Sequence, residues 1–409
     1  MTTSGIGLGP AALPLRAEFP MLRTTSRGKP IVYLDTAASA QKPQAVLDAM
    51  TRFYETSNAN IHRGVYQASE QATLAYDGAR ETLASFLGGV APEEIVFVRG
   101  TTEAINLVAQ SFLRPTLRPD DWVLVTEMEH HANIVPWQLA GARTVPVPVT
   151  DGGELDLDAA RRLLSEGPRL LAVVHASNTL GTINPIAELA AMARNAGVPV
   201  LVDGAQAVGH LAVDLTTLGA DFYCFSGHKL FGPTGVGVLW GRRELLEAMP
   251  PWQGGGDMID HVSFERTTFA PVPHKFEAGT PDIAGVIGLD AAVHWLGAQD
   301  RTAIAAHEET LWRAGRELLD AVGGVVRLAV PDRNVGILTF TVDGAHPHDV
   351  ASLLDQDGIC VRAGHHCTQP LHRRLGLPAT VRASIAPYTA LADLEALAAG
   401  LRRVRQVFA

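Results

Sequence analysis

Four clusters of chemically versatile side chains stand where apolar runs end: Thr101-Thr102-Glu103, Glu129-His130-His131, Asp203 with Gln206, and Ser226 with His228 and Lys229. In an open α/β sheet, ligands bind at the carboxyl ends of strands, so four such clusters point to one shared site. Lys229 lies between Phe225 and the pair Leu230-Phe231. Partial desolvation there lowers an ammonium pKa and leaves a nucleophilic amine; taken alone, a surface lysine after a strand is the plainer reading. Asp203 closes VPVLVDGAQ, and a carboxylate buried at the end of such a run needs a partner. A pyridinium nitrogen is one such partner, and capping the next helix is the competing use. Gly100-Thr101-Thr102-Glu103 opens a helix whose free N–H groups and hydroxyls suit a phosphate, or serve as an ordinary N-cap.

A second system is RAGHHCTQP, residues 362–370. Cys367 has His365, His366 and Arg362 close by, an electropositive setting that favours thiolate. Gly and Pro around it predict a mobile loop. Cys224 (FYCFSG) and Cys360 (GICVRA) lie in apolar contexts and read as inert core thiols. A zinc site built from Cys360, His365, His366 and Cys367 is disfavoured, because the spacing lacks a CxxC pair and adjacent HHC fits one tetrahedral ion poorly. No metal is expected.

These groups need a frame. Residues 95–98, 122–126, 170–175, 198–203, 222–225 and 236–240 read as short strands rich in β-branched and aromatic residues. Helical spacing of apolar residues at 42–55, 69–87 and 185–196 alternates with them, which argues an α/β domain with a largely parallel, buried sheet. Beyond residue 290 the texture changes: 286–322 reads as long helix, 336–342 as a strand opening a new unit, and 390–408 as a final helix. The expected division is a large domain over 31–295 and a smaller one over 296–409, joined by an N-terminal segment, 1–30, that packs with the small domain.

The chain has 409 residues, 47% apolar and 19% charged, the composition of a globular protein rather than a disordered one. A formal net charge of −10 works against binding a phosphate backbone, so no nucleic-acid partner is expected. Three cysteines cannot build a disulfide framework and fit a reducing compartment. The first twenty residues lack a basic stretch before their weakly apolar run, and no window approaches about 18 uninterrupted apolar residues. The expected location is cytoplasmic, without membrane attachment.

Taken together, GTTEAINLVA, EMEHHANIVPWQ, HASNTLGTINP, LVDGAQAVGH, FSGHKLFGPTGVGVLWG, FEAGTPDIAG, VRAGHHCTQP and VRASIA resemble group II, SufS-type cysteine desulfurases, which are pyridoxal-phosphate enzymes of the class V aminotransferase branch. The resemblance runs in order from about residue 31 to 385. It implies the fold type I of such transferases: a large domain with a mainly parallel, seven-stranded sheet, and a smaller α+β C-terminal domain that carries the thiol loop. It implies that Lys229 holds the cofactor covalently, Asp203 pairs with the ring nitrogen, Gln206 contacts the ring oxygen and His130 stacks on the ring. Thr101, Thr102, Ser226 and His228 would hold the phosphate, with Thr280 supplied by the neighbouring subunit of a homodimer. Asn178 and Arg382 would position L-cysteine, and Cys367 would accept its sulfur for iron–sulfur cluster assembly. The assignment of His130 over His131 rests on the motif alone.

Two departures stand out: Pro387 and Thr389-Ala390 replace a Tyr-Asn-Thr start to the last helix, and Asp282 stands where Asn is common. Aminotransferases and kynureninase-like hydrolases share the fold but have no use for the thiol loop, whereas a selenocysteine lyase can use every residue named. A non-catalytic protein built on the His/Cys cluster is the reading from outside enzymology. DGAHPHDV, residues 343–350, places His346 and His348 on a polar turn, plainly read as a solvated helix start. The turn resembles that of family members served by zinc-containing SufU-type acceptors. That implies a His348 contact to the acceptor's metal and prefers such a partner over the SufE type.

Overall fold

The computed structural model describes residues 13–329 and 331–408; the expected N-terminal segment therefore lies outside the described residues up to position 12. Seven strands form the main sheet: β1 (Ile95–Val98), β2 (Trp122–Thr126), β3 (Arg143–Val147), β4 (Leu170–Val174), β5 (Val200–Asp203), β6 (Phe222–Ser226) and β7 (Gly237–Gly241). Their order is β1-β7-β6-β5-β4-β2-β3. Only β7 runs against its neighbours β1 and β6. The carboxyl ends of β1, β2, β4, β5 and β6 therefore share one rim, which is where the polar clusters fall.

Alternation builds the core. Tyr223 and Phe225 face one buried cluster together with Val202. Phe222 and Cys224 face the opposite one with Leu201. Helices Gln44–Thr56, Gln67–Phe86 and Ile186–Asn195 lie where the apolar spacing placed them. Strand β3 escaped the sequence reading because Pro146 interrupts it; as an edge strand it tolerates a residue with no N–H to donate.

The long helix expected over 286–322 is two helices, Ile283–Gly297 and Arg301–Asp320. Asp300 restarts the chain, its Oδ1 accepting the N–H groups of Thr302 and Ala303 at 3.0 Å each. Asp282 caps the first helix in the same way, accepting the Gly285 N–H at 2.8 Å. Asp and Asn cap about equally well, so this departure from the family pattern preserves the local structure.

A second, antiparallel sheet has the order β8-β9-β11-β10, from β8 (Val325–Arg327), β9 (Ile337–Val342), β10 (Arg362–Gly364) and β11 (Thr380–Ser384). The strand expected to open this unit is thus its second. Arg301–Asp320 and the final helix, Leu391–Val407, supply Leu311, Trp312, Leu397 and Leu401 to a core shared with Leu338 and Phe340. At the start of that last helix, the Thr389 hydroxyl accepts the Ala386 N–H at 3.0 Å and Asp393 accepts the Ala390 N–H at 2.8 Å. These bonds close the turn that Pro387 begins. The N-terminal segment ties the two sheets together. Phe19 packs edge-on against Phe231, Trp295 and Tyr388, with ring centres 6.2, 5.2 and 4.7 Å away. Farther along, Val32–Tyr33 pairs in parallel with Ile359–Cys360.

Candidate active site

A cavity of about 630 Å³ opens at the shared rim. Its wall carries Thr101, Thr102, His130, Asn178, Asp203, Gln206, Ser226, His228, Lys229, Cys367 and Arg382, eleven of the residues singled out from the sequence. Most of these groups are delivered by the end of a strand or the turn after it, whereas Arg382 stands in the middle of β11.

Lys229 ends the single tight turn after β6. Burial holds its amine well below the usual range, at about 8, with Asp203 opposing that shift and Arg382 adding to it. Asp203 is the last residue of β5 and is buried. One carboxylate oxygen accepts the Ala205 N–H at 2.9 Å, and desolvation pushes its pKa up. A carboxylate so placed is stabilised by a cationic partner.

The floor beside it is built for an anion. Ser226 Oγ accepts the Thr101 N–H at 2.9 Å and shares a hydrogen bond with the Thr101 hydroxyl at 2.8 Å, while Thr102 stays exposed. Gly100 makes the approach possible: its φ is +151°, and a Cβ there would sit 2.9 Å from Ser226 Oγ. An amine for covalent attachment, a buried carboxylate for a ring nitrogen and a hydroxyl-lined cradle are the donor set pyridoxal phosphate needs, and the residues present fit it.

The two adjacent histidines do different work. His130 faces the cavity, its Nδ1 accepting the Ala132 N–H at 3.0 Å. Burial, with Lys229 close by, lowers its pKa to about 4, so the ring is neutral. His131 points to the thiol loop, its backbone N–H donating to the Cys367 carbonyl at 2.8 Å and its Nε2 accepting the Gln369 N–H at 3.0 Å. Beneath both, the fully buried Glu129 accepts from Thr126 Oγ1, the Val174 N–H and Asn133 Nδ2 at 2.6, 2.8 and 2.7 Å. Burial raises that carboxyl to about 8.

Arg382 donates through Nη1 to the Asn178 carbonyl at 2.8 Å and pairs through Nη2 with Asp35 at 3.3 Å. Its Nε and the Asn178 Oδ1 are buried without a partner among the described residues. Unpaired polar atoms on a cavity wall are the mark of a ligand-binding position. Asp35, absent from the sequence reading, also takes Arg362, at 2.8 Å through Nη2. One carboxylate thus holds both guanidiniums.

Cys367 is exposed on its loop and lines the cavity, while Cys224 is buried and Cys360 half-buried. The loop departs from the mobile segment expected for it. Asn178 Nδ2 donates to the His366 carbonyl at 2.6 Å, and the Thr179 and Thr368 hydroxyls meet at 2.8 Å. With the two His131 bonds this pins both sides of the thiol. His366 turns inward to the Thr380 hydroxyl at 2.9 Å. Among the described residues, no three His, Cys, Asp or Glu side chains converge as a metal site.

Thr280 does not reach this cavity; it lines a separate recess with Arg99, Glu103 and Gly235. Its segment is anchored by a buried bidentate pair, Arg80 to Glu277 at 2.8 and 2.9 Å, and Glu277 also accepts the Phe97 N–H at 2.7 Å. His348 is exposed on the first turn of helix Pro347–Asp355. Its neighbour His346 caps that helix, Nδ1 accepting the His348 N–H at 3.3 Å.

A two-sheet α/β scaffold with a half-buried lysine, a buried aspartate and a phosphate cradle defines a pyridoxal-phosphate enzyme of the aminotransferase type. The family model "Aminotransferase class-V" matches residues 32–397. A cysteine desulfurase of Dickeya dadantii (strain 3937) is 50% identical over 398 residues, covering 96% of each chain. The crystal structure of the Escherichia coli cysteine desulfurase CsdA superposes with a TM-score of 0.89 at 42% identity, over 96% of this chain and 98% of that one. The apo structure of the cysteine desulfurase from Thermococcus onnurineus NA1 superposes with a TM-score of 0.92 at 36% identity, over 98% of this chain and all of that one. The chain belongs to the class V aminotransferase family, among its pyridoxal-phosphate-dependent cysteine desulfurases.

Proposed function

We propose that this desulfurase converts L-cysteine to L-alanine and receives the sulfur on Cys367 as a persulfide. The observation that carries the reading is that Lys229, Arg382 and Cys367 share the wall of one cavity. Pyridoxal phosphate, when bound, supplies an electron sink that draws charge from the substrate's α-carbon. Lys229 holds it in the resting enzyme and, once freed, moves the α-proton; an amine at about 8 is close to the range an acid–base group needs. The unpaired Nε of Arg382 takes the substrate's carboxylate, and Asn178 Oδ1 accepts from its amine. Asp203, Gln206, His130 and the Thr101, Thr102, Ser226 and His228 cradle orient the ring and phosphate. The Cys367 thiolate then attacks the substrate sulfur. A sulfur–sulfur bond forms as the carbon–sulfur bond breaks, and the released electron pair stays with the carbon that becomes, after protonation, the methyl group of alanine.

The same reading makes 31–295 the cofactor domain and 296–409 the unit carrying the thiol loop, in a cytoplasmic enzyme of the group II, SufS type that supplies sulfur for iron–sulfur clusters. No helix among the described residues is long and apolar enough to cross a membrane. Thr280, outside its own cavity, reaches the phosphate of a second copy in a homodimer. A zinc-bearing SufU-type acceptor collects the persulfide with help from His348, the freer imidazole of its pair because His346 is committed to the helix cap.

The test is Cys367→Ser. The variant keeps the cofactor and its spectral response to L-cysteine but releases no sulfide, and mass spectrometry of the parent finds the added sulfur on Cys367 alone. Sulfur on Cys224 or Cys360 would refute the assignment. For the acceptor, His348→Ala should abolish stimulation by a zinc-bearing acceptor while sulfur still reaches Cys367; equal stimulation of variant and parent would end that part.

A further inference from the structure

The strand-end turn that presents His130 to the cofactor also grips the thiol loop through its next residue. The loop is strained: His366 and Cys367, neither of them glycine, both adopt left-handed backbone angles, φ +49° and +58°. Such residues cost of order 1–3 kcal/mol each and persist only where the surroundings over-determine them. Helix Gln369–Arg374 follows at once, and its N-cap Thr368 offers no side-chain cap. Its first free N–H, on Gln369, is taken instead by His131 Nε2, from another part of the fold. The His131 backbone N–H closes the other side on the Cys367 carbonyl.

We propose that His131 is the positioning residue for the sulfur-accepting thiol, its ring acting as a cap supplied in space that holds Cys367 in its strained, cavity-facing conformation. The proposal rests on the reading of Cys367 as acceptor. His131 borders the same cavity, but in this role its ring acts on the thiol loop through the Gln369 N–H and not on substrate or cofactor. A ring nitrogen that accepts from a backbone N–H must be unprotonated, and burial keeps the His131 pKa below its ordinary value, in agreement. Since Glu129 locks the same turn with three hydrogen bonds, the cofactor-facing imidazole and the thiol are referred to one rigid support two residues long. The thiol is then presented to the substrate sulfur at a fixed distance, the kind of placement worth orders of magnitude in rate.

The experiment compares His131→Leu, which removes the acceptor, with His131→Gln, whose amide oxygen reaches about as far as Nε2. All are studied as holoenzymes. The expected result for His131→Leu is an unchanged KM and an unchanged spectral response on mixing with L-cysteine. Persulfide formation on Cys367 in a single turnover should fall about tenfold or more, and iodoacetamide should alkylate Cys367 at an altered rate without substrate. His131→Gln should restore both readouts to within about threefold of the parent. If His131→Leu forms persulfide and is alkylated at parental rates, or if His131→Gln is as impaired as His131→Leu, the proposal is overturned. Failure of the underlying reading looks different: sulfur would then appear on a residue other than Cys367 in the parent itself.

Discussion

At the scale of single residues, the lysine makes the sharpest prediction. Burial holds the Lys229 amine at about 8, so its neutral, nucleophilic fraction rises with pH up to that value and levels off beyond it. Protein stripped of cofactor should recapture pyridoxal phosphate about tenfold faster per pH unit below 8 and at a constant rate above, followed by absorbance. A rise continuing to pH 10 would show an unshifted amine. Lys229→Ala should lose both the yellow colour and all alanine production. Asp35 is the residue the sequence hid. It follows a strand of two residues and has no motif around it, and its partners Arg362 and Arg382 lie 327 and 347 positions away. Asp35→Ala should free the Arg382 guanidinium to swing and raise KM for L-cysteine about tenfold with kcat nearly kept, read from steady-state kinetics. The pair His130-His131 was legible as a site but not as two roles, because which imidazole bonds to the thiol loop depends on the turn geometry that Glu129 imposes from below.

Elements follow the same logic of local and distant causes. Strands β2, β4, β5 and β6 could be read directly, since buried parallel strands are continuous apolar runs with little alternation to confuse them. Strand β3 could not, as an edge strand broken by Pro146. The split of 286–322 was missed because Ala- and Leu-rich sequence on both sides of Asp300 hides a cap whose effect is a pair of hydrogen bonds. Asp282 allows a clean check: Asp282→Asn should leave stability within about 0.5 kcal/mol, while Asp282→Ala should cost about 1 kcal/mol in urea unfolding. The segment bearing Thr280 depends on the Arg80–Glu277 pair, whose side chains are only 7% and 8% exposed. Glu277→Leu leaves a buried guanidinium unpaired and should cost about 3–5 kcal/mol. A loss below about 1 kcal/mol would mean the pair is dispensable to the fold.

Across the whole molecule, protonation equilibria set the working range. His130, His175 and His228 are each held near pKa 4, by burial first. An unfolded chain takes up protons on the same residues around 6.5. Between those values the unfolded state binds more protons, so stability falls with falling pH, by up to about 1.4 kcal/mol per unit for each ring. Melting temperature should therefore drop steeply from pH 6.5 toward 4. A flat profile over that window would contradict the burial of these rings. The Asp35–Arg382 pair, finally, spans 347 residues of sequence and holds Arg382 at the cavity wall. A ribosome adding about 5–20 residues per second needs roughly 20 to 70 s to travel from one partner to the other. Lys229 emerges 194 residues into that stretch, so for the remaining 153, under half of the interval, the growing chain owns its lysine and aspartate but not yet Arg382 nor, until near the end, Cys367. Where Arg382 and Cys367 carry the roles proposed for them, the groups that hold the substrate and take its sulfur are the last that translation supplies.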